Sequence, residues 1–228
     1  MLSIKNRSLR RILGIVIPFV LIPASAVAGT LVFSEKRHIL VSLFVAVLTV
    51  ILFIAGFERK EIGTRRMVLV SVMIALSVAG RFIPIFKPVT AITIIAAVYL
   101  GPESGFAVGA FSALLSNFYF GQGPWTPFQM LAWGLIGWLA GAFSKPLKKN
   151  RALLIIFGVL SGVVFSAVMD VWTVLWYNNG FDFGLYLSSL IAALPHTALY
   201  SVSNFIFLLA LSKPFGEKLE RIRIKYGV

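Results

Sequence analysis

The 228-residue chain has no cysteine, two histidines and eight acidic residues against 21 lysines and arginines. Without cysteine there is no disulfide scaffold and no thiolate metal site. The histidines, His38 and His196, lie in different segments, so imidazole metal spacing is missing too. Charge is scarce: 13% of residues carry one, where soluble domains average about 25%. No Gly-x-x-x-x-Gly-Lys-Ser/Thr loop occurs, which excludes ATP hydrolysis by that route. A Gly-x-Ser-x-Gly elbow and a His-Glu-x-x-His pair are absent as well. What remains is apolar. Hydrophobic residues make up 59% of the chain and aromatics 14%, more than one core of this size can hide from water. The expected class is an all-α polytopic membrane protein.

A helix crossing the hydrocarbon layer needs about 20 mostly apolar residues. Eight apolar stretches are legible, some shorter than that: Ile12–Phe33, His38–Phe57, Met67–Phe86, Val89–Leu100, Ser104–Phe120, Pro127–Phe143, Ala152–Trp176 and Gly184–Ser212. Val89–Leu100 reaches only about 18 Å as a helix, so it is expected to be tilted, re-entrant or backed by protein rather than lipid. Charged runs such as Glu58-Arg59-Lys60-Glu61 and Lys145-Pro146-Leu147-Lys148-Lys149 close the segments.

With the N-terminus placed in the cytoplasm, the inner side receives four basic residues at Lys5–Arg11 and four at Arg59–Arg66. Four more fall at Lys145–Arg151 and five from Lys213 to Lys225. The outer side receives only Lys36, Arg37, Arg81 and Lys87. Seventeen against four is a strong positive-inside bias, which places both termini inside a cell membrane. The net charge of +13 therefore sets orientation and attraction to anionic lipid. Nucleic-acid binding would need those bases gathered with stacking aromatics on one aqueous surface, and they are not. The basic start, apolar run and Ala24-Ser25-Ala26 pattern also fit a signal peptide. A run continuing to Phe33 is long enough to span, and a retained helix fits it better.

Only one acid, Asp170, sits well inside an apolar stretch, too few for a self-driven proton or sodium carrier. Polar and aromatic residues instead collect on the outer side. Asn117, Tyr119, Trp125 and Gln129 flank a loop whose glycines and prolines force turns, and Gln129 and Trp133 share one helix face. Asp170 lies close in sequence to Trp172, Trp176 and Tyr177, near the outer surface. Together these residues are expected to line an outward-facing pocket. Trp and Tyr also anchor membrane interfaces whatever the function. A buried carboxylate usually has a partner, and Arg81 is a candidate. His196, Tyr200 and Asn204 step along one helix face, where interhelical hydrogen bonding competes with ligand contact for His196. Ser71, Ala75 and Ala79 form a small-residue stripe of the kind that permits close helix contact.

From Met67 onward the chain resembles the substrate-binding S component of energy-coupling factor transporters. The likeness rests on a six-helix block with both ends inside and on Ala75-Leu76-Ser77-Val78-Ala79, which matches an Ala-x-x-x-Ala signature. The string Gly121-Gln122-Gly123-Pro124-Trp125-Thr126-Pro127-Phe128-Gln129-Met130 looks most like the cobalamin-specific members. The resemblance implies a six-helix core over 67–228, preceded by two additional transmembrane segments over 1–66 that the family pattern lacks. It implies capture of a vitamin, cobalamin above all, in the outer pocket by Asn117, Tyr119, Trp125, Gln129, Asp170, Trp172, Tyr177 and His196. It also implies contact of Ser71, Ala75 and Ala79 with a membrane coupling subunit, and energy from two cytoplasmic ATPases. No catalytic residue, metal or bound cofactor is implied. Two rival expectations are a self-sufficient carrier or channel using Asp170 and His196, and a membrane enzyme acting on a lipid or polyprenyl substrate. The latter is disfavoured by the lone intramembrane acid.

Overall fold

The computed structural model describes residues 6–32, 38–56 and 60–226, and these form helices with no strand among them. Of the basic residues counted above, Lys5, Lys36, Arg37 and Arg59 lie outside the described residues, as do Phe33, Phe57 and Glu58. The first membrane-length run comprises α1 (Arg7–Val16), a π-helical stretch (Ile17–Leu21) and α2 (Ile22–Val32). Pro18 stands at the second position of this stretch, where its missing N–H breaks the regular ladder, and the Ile22 N–H bonds to the Ile17 carbonyl five residues back. Next comes α3 (His38–Ala55), followed by α4 (Lys60–Gly80), α5 (Val89–Leu100), α6 (Pro102–Phe120) and α7 (Thr126–Ala142). The short α8 (Ser144–Lys149) leads into α9 (Arg151–Asn178), α10 (Phe183–Ala192) and α11 (Leu194–Tyr226).

Two boundaries differ from the sequence expectation. The stretch expected to run to Phe86 ends as a helix at Gly80, because Pro84 and Pro88 cannot donate to a helical ladder. The stretch Gly184–Ser212 is not one helix: it breaks at Ala193, one residue before the Leu194-Pro195 start of α11. Proline is tolerated in a first helical turn but not in an interior, so the chain restarts there.

Packing puts the shortest apolar segment at the centre. Every residue of α5 except Tyr99 is buried, and α4, α6, α7, α9 and α11 enclose it. A helix too short to span is thus surrounded by protein, one of the three arrangements its length left open. The closest pair is α6 and α7. A Cβ at Gly105 would collide with the Gly137 carbonyl, and one at Gly109 with the Trp133 carbonyl, so the two backbones touch along their length. The N-terminal helices pack on α6, α7 and α9 through Ile17, Ile22, Ala26 and Val45.

The outer shell is reversed relative to a soluble protein. On α3, Leu40, Phe44, Val47 and Ile51 recur at helical spacing and are all exposed; on α9, Leu153, Ile156 and Leu160 do the same. Contiguous apolar surface of this kind belongs against lipid. Four helical runs are long and apolar enough to cross a membrane: Ser8–Val32, His38–Ala55, Arg151–Asn178 and Leu194–Tyr226. The chain is a multi-pass membrane protein. Its two ends differ chemically. The turns after α4, α6 and α9 form an aromatic end, while the start of α1, the α5–α6 and α7–α9 junctions and the tail of α11 form a basic end.

Candidate functional site

At the aromatic end, a small cavity of about 50 Å³ is lined by Arg81, Lys87, Val89, Thr90, Gln129, Trp133 and Tyr200. Four elements supply it: the α4–α5 turn, the first turn of α5, one face of α7 and the N-terminal part of α11. Gln129 and Trp133 face it together because they are four residues apart on α7.

Behind this wall stands a closed hydrogen-bond network. The Arg81 guanidinium donates to Ser116 Oγ, and to Asn117 Oδ1 at 2.6 Å. Asn117, 1% exposed, uses both hydrogens of its amide: one to Thr126 Oγ1 at 2.9 Å and one to Gln129 Oε1 at 2.8 Å. Thr126 in turn donates to Gln122 Oε1 at 3.0 Å and accepts from the Gly123 N–H at 3.3 Å. Gln122 donates to the Leu114 carbonyl at 2.9 Å, which returns the network to α6. The α6–α7 turn permits this only because Gly121 adopts φ +105°, a region open chiefly to glycine, and because a Cβ at Gly123 would occupy the Trp125 ring.

The cavity's cations sit against aromatic faces. Arg81 lies 5.0 Å from the Phe120 ring centre and 5.5 Å from that of Trp133, and Lys87 lies 5.3 Å from Phe120. Trp133 donates to Thr90 Oγ1 at 3.1 Å and stacks on Phe165 at 4.7 Å, which meets Tyr200 edge-on at 5.0 Å. Ser203 of α11 donates to the Lys87 carbonyl at 2.9 Å, tying the α4–α5 turn down over the cavity. Burial, and then the neighbouring Arg81 charge, hold the Lys87 ammonium below the usual lysine range. In that turn Ile85 has φ +63°, an unfavourable conformation for a β-branched residue. Chemically, the arrangement offers two cations, an amide and an aromatic wall to a polar ligand, and no nucleophile–base pair.

Asn117 and Gln129 therefore stand in one network, Gln129 lining the cavity and Asn117 holding it from behind. Trp125 and Trp172 meet each other instead, edge to face at 5.8 Å, and Trp176 stacks on Trp172 at 6.5 Å. This second cluster closes on α2, where Ala26 packs with Phe128, Leu175 and Trp172. Asp170 is 8% exposed, and its Oδ2 has no hydrogen-bond partner. The expected Arg81–Asp170 ion pair is not formed: Arg81 is turned to α6, and the described ion pairs lie elsewhere. Tyr119 and Tyr177 are 72% and 77% exposed, and neither lines the cavity. His196 is exposed near the α10–α11 break and does not line it either; in its stripe Asn204 makes the interhelical bond, to the Gly158 carbonyl at 2.9 Å. Lys87, Thr90 and Tyr200 were not among the sequence candidates. Tyr200 carried a legible signal, one helical turn beyond His196, but Lys87 and Thr90 carried none.

The stripe Ser71, Ala75 and Ala79 is exposed along α4, and the N-terminal helices pack elsewhere, on α6, α7 and α9. Among the described residues no group of three or more His, Asp or Glu could hold a metal.

Fold and site together define a multi-pass membrane protein with a polar, cation-bearing cavity at one end of a helical core. The family described as ECF-type riboflavin transporter, S component, matches residues 61–213, about two thirds of the chain, and the chain belongs to it. No curated protein and no solved structure matches the chain.

Proposed function

We propose that this chain is the substrate-capture subunit of an ECF-type vitamin importer, holding its ligand in the cavity between Arg81, Lys87, Gln129 and Trp133. The observation that carries this is the satisfied network around Arg81 and Asn117. It fixes one charge and one amide in place before any ligand arrives, which lowers the ordering cost of binding. Gln129 contacts the ligand from the cavity wall and Asn117 holds Gln129 in place from behind, while Trp125 and Trp172 form a neighbouring aromatic wall with Asp170 beside it. Tyr119, Tyr177 and His196 could reach the ligand only after rearrangement.

Two vitamins compete for the cavity. The family's description favours riboflavin, and a stacked Trp133–Phe165 wall suits a flat heteroaromatic ring. The Gly121–Met130 string favours cobalamin, and the cavity of about 50 Å³ must widen to admit either vitamin. Riboflavin is the better-supported ligand. The core over 67–228 does the binding, a division supported by a family match that begins at residue 61. The segments over 1–66 act as an accessory pair. The seventeen-to-four distribution of basic residues supports cytoplasmic termini and a cell-membrane location, with the cavity facing out. The exposed Ser71/Ala75/Ala79 stripe supports docking of a membrane coupling subunit there, with energy from two partner ATPases, and the chain itself does no catalysis.

The purified chain, titrated alone with riboflavin and with cyanocobalamin, tests this. Riboflavin fluorescence should be quenched on binding beside Trp133, with a Kd below about 1 μM, corresponding to roughly 8 kcal/mol. If the folded protein binds neither vitamin, the assignment fails. A second possibility, a self-sufficient carrier relaying ions through Asp170, draws on its unpartnered Oδ2. Concentrative uptake by proteoliposomes containing only this chain would establish it instead.

A further inference from the structure

The basic end holds a pocket unrelated to the cavity above. It is about 170 Å³ and lies between α5, α8, α9 and α11. Its floor is apolar and closed, with Ile95, Leu147 and Leu154 buried. Around its mouth stand Lys148, Arg151 and Lys213, with Tyr99 and Ser212 beside them.

These cations differ in how they are held. Lys148 lies 4.5 Å from the Tyr99 ring centre and 3.3 Å from Glu220 Oε2. Arg151 donates to the Leu209 carbonyl at 2.5 Å, which leaves its remaining donors for another acceptor. Lys213 has no hydrogen bond or ion pair among the described residues. It is followed by Pro214, which lies inside α11 and cannot donate to the Ala210 carbonyl four residues earlier. Three positive groups converge on one opening; Glu220 pairs with Lys148, Glu217 also lies near Tyr99, and among the described residues neither Arg151 nor Lys213 has an ion pair.

An apolar track continues from this opening along α11. Val202, Phe205 and Leu209 are 47%, 44% and 45% exposed and share the helix face of Lys213 at three- and four-residue steps. A ligand that satisfies both features has an anionic head and a hydrocarbon tail. We propose that this pocket binds the phosphate of an anionic phospholipid such as phosphatidylglycerol, with Lys213 and Arg151 on the phosphate and an acyl chain along Leu209, Phe205 and Val202. Basic pockets between transmembrane helices are suited to such headgroups because each cation adds attraction in a region of reduced dielectric. The bound lipid pins α9 and α11 together at their basic ends.

The same phosphate chemistry is available from free inorganic phosphate, and the test separates the two. The full chain is purified from nanodiscs of phosphatidylcholine with or without phosphatidylglycerol, and retained lipid is counted by native mass spectrometry. Wild type should retain phosphatidylglycerol in preference to phosphatidylcholine. Lys213→Gln should lower that retention about fivefold. Lys145→Gln, which removes an exposed charge outside the pocket lining, should leave it unchanged. Should Lys213→Gln depress the melting temperature, Lys148→Gln carries the same comparison. Millimolar inorganic phosphate should not displace the lipid. Equal retention of the two lipids overturns the proposal, as does an equal loss in Lys145→Gln and Lys213→Gln. Displacement by inorganic phosphate overturns the lipid as the source of the phosphate.

Discussion

Two polar clusters share the aromatic end of this protein and are built on opposite principles. Around Arg81 and Asn117 the amide's donors and acceptor, the Thr126 hydroxyl and both ends of Gln122 are engaged in bonds that run from α4 through α6 to α7. Around Asp170 and Trp172, Asp170 Oδ2 and Trp172 Nε1 are buried without partners, and the cluster is held by stacked rings. A satisfied network fixes geometry, whereas an unsatisfied one tolerates several arrangements at similar cost. The first cluster is therefore the preorganised part of the site and the second the adaptable part.

The largest expected effect breaks the first cluster. Arg81→Met removes a charge-assisted hydrogen bond worth about 2–3 kcal/mol and leaves Asn117 Oδ1 buried without its donor. Ligand affinity measured by fluorescence titration should fall about 100-fold; a fall of less than tenfold would place the binding site elsewhere. A smaller effect comes from the turn that covers the cavity. Ile85→Asn puts a residue that tolerates positive φ where a β-branched one now sits. It should raise stability by about 1 kcal/mol, read as a higher melting temperature in detergent, and a lower one would show that the Ile85 side chain contributes more than its strain costs. The smallest effect belongs to the second cluster. Asp170→Asn keeps the shape, removes an uncompensated buried charge and should change ligand affinity by less than about threefold, roughly 0.7 kcal/mol. If binding is lost instead, the two clusters form one site and the contrast between them is wrong.

The sequence made some of this legible for identifiable reasons. Composition and hydrophobic run length exposed the membrane class, and the twelve-residue length of α5 left enclosure by protein as one of three alternatives. Asn117 and Gln129 stood out because polar amides are rare beside so many apolar residues. Their mutual contact needed the turn geometry of Gly121 and Gly123. Arg81 was visible, but its partner was not: Asp170 was the nearest chemical match, whereas helix rotation decides the actual contact and turns Arg81 toward Ser116 and Asn117. Tyr119 is two residues from Asn117 and so lies about 200° around the helix from it, pointing away from the cavity. Closeness in sequence was mistaken there for closeness in space. The break at Ala193 was signalled by Pro195, yet hydropathy alone runs through it.

The backbone contact between α6 and α7 has a mechanical corollary. With glycine carbonyls as their bearing surfaces, the two helices have no compressible side-chain layer in which to slide, so they behave as one beam. Asn117 rides on one half of that beam and Gln129 on the other, and their spacing is preserved under any load the bundle transmits. Compliance must then reside where the beam ends, in the eight-residue strap from Arg81 to Pro88 and in the broken joint at Ala193. On the binding proposed above, the strap and the joint are the parts that would move to admit a ligand, and the beam is the fixed jaw of the clamp.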